Sequence, residues 1–164
     1  MANPDFENAP SLRRQTDRLK VFISYSRHDS RLAAEIVGGL EFDGGFESLI
    51  DSHSIEEGEE WKARISALIA ECGTFIVVLS ANWAASSICQ WELEEACRHN
   101  KRIVPVQATS LSGVTIPQRL AAINYVRFDQ NADGSPRLFM DGMSALRRAL
   151  ITDLGWVREH ARLL

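Results

Sequence analysis

Thr74-Phe-Ile-Val-Val-Leu-Ser80 is the most apolar run in the chain, and its reading decides the fold. Six β-favouring residues without polar alternation describe a strand covered on both faces, which places it at the centre of a parallel sheet. Working backwards, Leu19-Lys-Val-Phe-Ile-Ser24 is a second buried strand, running into the polar loop Ser24-Tyr-Ser-Arg-His-Asp29. Asp29 or Ser30 then caps a helix with Leu32, Ala33, Ile36, Val37 and Leu40 at helical spacing, which Asp43-Gly44-Gly45 stops. Phe46 to Asp51 reads as a strand, Ser52 to Glu60 as an acidic loop, and Trp61, Ile65, Leu68 and Ile69 as the inner stripe of a helix.

Working forwards, a helix carries Glu92, Arg102 to Gln107 is a fourth strand and Ile123 to Phe128 a fifth. Pro105 lacks an amide donor, so the fourth strand nears an edge on at least one side. Leu138 to Leu154 completes the pattern as an amphipathic helix. Strands alternating with helices require right-handed crossovers. The expected architecture is α/β: a flavodoxin-like, doubly wound, five-stranded parallel sheet in the order 2-1-3-4-5, with helices on both faces. Residues 1–18 read as a flexible lead-in and residues 19–154 as one domain. Residues 155–164 continue helically, as a docked tail or the start of a linker to a further domain.

Bulk properties narrow the function. The 164 residues are 45% hydrophobic and 24% charged, as in ordinary globular proteins. A net charge of -4, a pI near 5.6 and no Lys/Arg run argue against nucleic-acid binding. No apolar run reaches the roughly 18 residues of a membrane span, and the polar N-terminus lacks a signal peptide's apolar core. Cys72, Cys89 and Cys97 are an odd set without metal-ligand spacing, so a reduced cytoplasmic setting and no metal are expected. Nothing matches a dinucleotide fingerprint or a phosphate-binding loop. Cys89 has no histidine at a readable relation to it and reads as packing. His28, His53, His99 and His160 read as surface residues.

Glu92 stands on the first turns of the helix after the central strand, where an open α/β sheet binds ligands beyond its carboxyl edge. Acidic residues also favour a helix's first turn because they complement its macrodipole, and on local grounds that reading of Glu92, Glu94 and Glu95 prevails.

Four fragments in order change the weighting. Val21-Phe-Ile-Ser-Tyr-Ser-Arg-His-Asp29, Asp51-Ser-His-Ser-Ile-Glu-Glu-Gly-Glu-Glu-Trp61, Phe75-Ile-Val-Val-Leu-Ser80 and Ser86-Ser-Ile-Cys-Gln-Trp-Glu-Leu93 together resemble a TIR (Toll/interleukin receptor) domain of the bacterial type, over about residues 19 to 153. Many members of that family cleave NAD at the nicotinamide N-glycosidic bond, releasing ADP-ribose or a cyclised form, while others only assemble signalling complexes. The family's catalytic pattern, Ser-x-Trp-Cys-x-x-Glu, is met by Ser86, Cys89 and Glu92, with Ile88 where many active members carry Trp. Either a stacking partner for the nicotinamide or ribose is missing there, or Trp91 or Trp83 substitutes from nearby.

The resemblance implies Glu92 as the catalytic carboxylate and NAD as substrate, with no further cofactor. Ser26 and Arg27 would contact the ribose or pyrophosphate, Arg27 through its planar two-pronged fork, the alternative being a pairing with Asp29 or solvent. Trp61 would stack on a base, or else pack in the core. Ser86 would bond a ribose hydroxyl, cap a helix, or both. The loop carrying Ile55, Glu56, Glu57 and Gly58 would dock into a neighbouring TIR domain, building head-to-tail filaments that switch the activity on. The expected role is the effector end of a prokaryotic defence or signalling protein. The rivals are a catalytically silent TIR adaptor, for which Ile88 argues, and a receiver- or flavodoxin-type protein, against which the missing acidic pocket and flavin loop argue.

Overall fold

The structure, a computed structural model, describes residues 18–42, 44–50 and 59–160. Residues 1–17 of the expected lead-in and the loop residues Ile55, Glu56, Glu57 and Gly58 lie outside the described residues. Five strands, β1 (Leu19–Ser24), β2 (Phe46–Leu49), β3 (Thr74–Leu79), β4 (Arg102–Gln107) and β5 (Val126–Arg127), form one sheet in the order β2-β1-β3-β4-β5. All four pairings are parallel. The fold is the doubly wound one that the alternation of strands and helices implies.

Every residue of β3 is buried, and the pleat divides them between two cores. Ile76 and Val78 face α1 (Ser30–Glu41) and α6 (Phe139–His160), meeting Ile36, Leu40, Met143, Leu146 and Leu150. Phe75, Val77 and Leu79 face α2 (Glu59–Glu71) and α4 (Ser87–Arg98), meeting Ile65, Ile69, Leu93 and Ala96. Phe22 and Phe75, opposite one another in the β1–β3 register, stack with centroids 5.4 Å apart. Two short helices, α3 (Ala81–Ala85) and α5 (Gln118–Ala121), follow β3 and precede β5. α6 approaches the sheet closely because Gly142 has no side chain: a Cβ there would lie 2.7 Å from the Phe128 ring.

The fifth strand is shorter than the expected Ile123 to Phe128. Ile123, Asn124 and Tyr125 stay outside the sheet, and β5 pairs only with Val106 and Gln107. The cause is Pro105. The Gln107 carbonyl accepts from Phe128 on the β5 side, whereas Ala108 donates to Leu79 on the β3 side. Alternation then puts Pro105 on the β5 side too, where its missing N–H removes a rung and pairing starts only beyond it. At the other end, α6 runs unbroken past Leu154 to His160.

On the α2–α4 face, Glu95 accepts hydrogen bonds from Ser66 on α2, at 2.7 Å, and from Arg98. Burial pushes its carboxyl upward, but the hydrogen bonds from Ser66 and Arg98 and the charges of Arg98 and His99 outweigh that and hold it below the ordinary value of 4.5. A carboxylate depressed in the folded state contributes stability above its unfolded value and loses it as pH falls through the folded one. Denaturation midpoints should therefore drop on acidification below pH 4.5. Glu95→Gln should lower the midpoint at pH 7 and flatten that acid limb. An unchanged acid limb in the variant would count against this role for Glu95.

Candidate functional site

Ser24 is the last residue of β1, level with Val77 of the neighbouring central strand, and Ser80 follows the end of β3. These two serines organise the crest of the sheet. Ser80 caps α3, its hydroxyl accepting the amide of Trp83 at 3.0 Å, and Ser86 caps α4 by accepting the amide of Cys89 at 3.2 Å. Two caps six residues apart split the segment after β3 into two helices and set the direction in which α4 returns over the sheet.

On α4, Glu92 lies one turn beyond Ile88 and points inward, not to solvent; it is 2% exposed. The Ser24 hydroxyl donates to its Oε2 at 2.5 Å, and the Trp83 indole N–H donates to the Ser24 oxygen at 3.0 Å. Beside it, Ser80 gives its own proton to Asp29 Oδ2. Glu94 is exposed and Glu95 turns to α2, so the three acidic residues of α4 serve three different surroundings. The macrodipole accounts for none of their hydrogen bonds.

A cleft of about 310 Å³ opens above this crest. Tyr25, Ser26, Arg27 and His28, from the loop after β1, form one wall; Asn82 and Ala85 of α3, Ser86 and Ile88 form the other. Ser26 is 7% exposed, and its hydroxyl also caps the short 3-10 turn Arg27–Asp29 by accepting from the His28 amide. Arg27 and His28 are exposed at the rim, giving the cleft donors suited to an anion. Ser86 both lines the cleft and caps α4.

Four residues singled out in the sequence, Trp61, Trp83, Trp91 and Cys89, are not among those lining this cleft. Trp61 is not in the cleft: its ring packs at 5.6 Å against Trp91, over which Lys62 also sits, between α2 and α4. Trp83 is fully buried in the core, and neither it nor the half-buried Trp91 is among the residues lining the cleft. The aromatic residue that lines the cleft is Tyr25, which also packs against the core on the α1–α6 side. Cys89 is 1% exposed. Burial pushes its thiol up to about 11; the charges of Glu92 and Asp29 add to this, and the Ser86 and Ser24 hydroxyls oppose it. A thiol so held is not a nucleophile near neutral pH.

Sequence reasoning missed Ser24, Ser80 and the anchoring role of Trp83. The available signal was that β3 and its neighbour β1 each run into a serine. Among the described residues, no group of three or more His, Cys, Asp or Glu is placed to hold a metal ion, and no helix is long and apolar enough to cross a membrane.

A sequence model of the TIR domain family matches residues 21–139. Similar solved structures include the TIR domain of the Toll-related receptor TRR-2 from Hydra magnipapillata, at 18% identity and a TM-score of 0.61, covering 81% of this chain and 95% of that one. The TIR domains of the activated Roq1 resistosome, which directly recognises the pathogen effector XopQ, align at 15% identity and 0.61, covering 81% and 99%. A prokaryotic SEFIR domain aligns at 14% and 0.54, covering 79% and 96%. No curated protein matches the chain. These likenesses establish the fold, and the family match spans both walls of the cleft and Glu92. The chain belongs to the TIR domain family.

Proposed function

We propose that this TIR domain cleaves NAD at the nicotinamide N-glycosidic bond, by hydrolysis or cyclisation, and that self-assembly switches it on within a prokaryotic defence or signalling pathway. The observation that carries the reading is Glu92: a carboxylate on the inner face of α4, fixed by Ser24 at the crest of the sheet and one turn below the cleft wall. Nicotinamide is already a good, neutral leaving group. What the protein must add is a fixed negative charge beside a ribose that becomes oxocarbenium-like, as glycosidases place carboxylates beside their sugars.

In this reading Glu92 accepts hydrogen bonds from the ribose hydroxyls and offsets the developing positive charge, and water or a nucleophile within the substrate completes the reaction. Arg27 takes the pyrophosphate, Ser26 and Ser86 bond sugar hydroxyls, and Tyr25 offers a ring to the nicotinamide. The depth of Glu92 in the single chain agrees with an enzyme that is nearly silent as a monomer, because a sugar must gain access to a side chain that is 2% exposed. Assembly with other TIR domains through the loop at Ile55, Glu56, Glu57 and Gly58 is the proposed trigger.

The test is nicotinamide release from NAD by the purified chain, with and without a crowding agent, over a dilution series. Turnover should rise more steeply than linearly with protein concentration. A strictly linear dependence down to dilute monomer would remove the assembly requirement, and no release at any concentration would leave a docking module.

A further inference from the structure

Trp83 is held at both ends by serines at the crests of adjacent strands. Its amide donates to Ser80 Oγ and its indole N–H to Ser24 Oγ. A tryptophan nitrogen can only donate, and a serine hydroxyl owns a single proton. Once each serine oxygen accepts from Trp83, its proton must leave in the other direction, and in each case a carboxylate is waiting: Glu92 for Ser24, Asp29 for Ser80. Ser24 and Ser80 are each 1% exposed, Glu92 is 2% exposed and Trp83 is fully buried, which shields this arrangement from competing water.

We infer that Ser24 and Trp83 are positioning residues for the reaction at Glu92: the indole fixes the orientation of the Ser24 hydroxyl, and that hydroxyl fixes the carboxylate. The inference rests on reading Glu92 as the reacting group and deepens that reading. Trp83 acts only through Ser24. It therefore belongs to the site although it lines no part of the cleft. A carboxylate held by a charge-assisted bond to an immobilised donor does not have to be reoriented when the transition state forms. The two partners lie 68 and 59 residues apart along the chain, which is why no local pattern announces them.

The experiment compares Ser24→Ala, Ser24→Thr, Trp83→Phe and the Ser24→Ala/Trp83→Phe double variant in the full chain, under conditions that favour assembly. Losing one hydrogen bond to a charged group should lower kcat about tenfold in Ser24→Ala, with KM held within about twofold. Ser24→Thr, which keeps the hydroxyl, should restore kcat. Trp83→Phe, which keeps a ring and removes the N–H, should lower kcat less, and the double variant should be no slower than Ser24→Ala alone, because coupled residues are not additive. Wild-type kcat in Ser24→Ala, or effects that multiply in the double variant, would overturn the inference.

A second readout needs no turnover. The Trp83 indole N–H resonance, assigned through Trp83→Phe, should move in Glu92→Gln, because changing the carboxylate changes the polarity of the hydroxyl that the indole meets. A stationary resonance would break the link. An inactive wild-type chain with a shifted resonance would instead refute the NAD reading and keep the hydrogen-bond relay.

Discussion

Glu92→Gln should stop nicotinamide release while leaving the fold intact or slightly more stable. The substitution keeps the shape of the side chain, and the amide oxygen still accepts the Ser24 proton that now lies 2.5 Å from Oε2. What disappears is the negative charge. Removing a single preorganised electrostatic contact from an active site costs about 100- to 1,000-fold in kcat, and the loss of the only charge facing the sugar in the proposed mechanism should reach at least that range. Stability should not fall with it, because a carboxylate that is 2% exposed has given up its hydration, a cost that a neutral amide of the same shape does not carry to the same extent. The expected pairing is therefore lost turnover with an unchanged or raised melting temperature, a combination typical of residues retained for activity. Turnover at the wild-type rate in Glu92→Gln would end the assignment.

Trp83→Ala should be the most destabilising single change near the site. The side chain is fully buried between the crest of the sheet and α4, among Phe22, Phe75, Leu79, Cys89 and Leu93. Truncating a buried Trp to Ala costs about 3–5 kcal/mol from lost burial and the cavity left behind. The orphaned Ser24 oxygen adds about 1 kcal/mol or more. Against a typical total of about 5–15 kcal/mol, that is a third or more of the stability of the domain. Urea denaturation followed by far-UV circular dichroism should show the midpoint fall sharply. Trp91→Ala, at a half-buried position, should cost distinctly less. Equal losses at the two tryptophans would contradict the packing described here.

The same crest shows how far local pattern carries. Ser86, Cys89 and Glu92 are legible as a motif only through the resemblance to the TIR family, since local pattern by itself favours a macrodipole role for Glu92, whereas Ser26 and Arg27 stand out because a polar loop follows an apolar strand. Trp61 is a plausible ligand-stacking residue in sequence and packs on Trp91 in space. The difference between those roles is a matter of which way α2 is rotated, and helical spacing alone does not fix that when a tryptophan sits at the helix start. The Ile88 position behaves similarly: sequence offers Trp83 and Trp91 as replacements by proximity, whereas the loop after β1 brings Tyr25 to the wall.

By itself the sequence determined the sheet order, the central place of β3 and the helices on both faces, because strand and helix periodicities are properties of short segments and right-handed crossovers leave few topologies. It also determined that Pro105 would limit pairing. Only the tertiary structure decided where that limit falls, reducing the expected six-residue strand to the two-residue β5. It alone decided that Glu92 points inward and that Ser24 and Trp83 hold it. Hydrogen bonds across 68 and 59 residues exist only after β1, β3 and α4 have packed, and their geometry is set by that packing, not by any spacing along the chain.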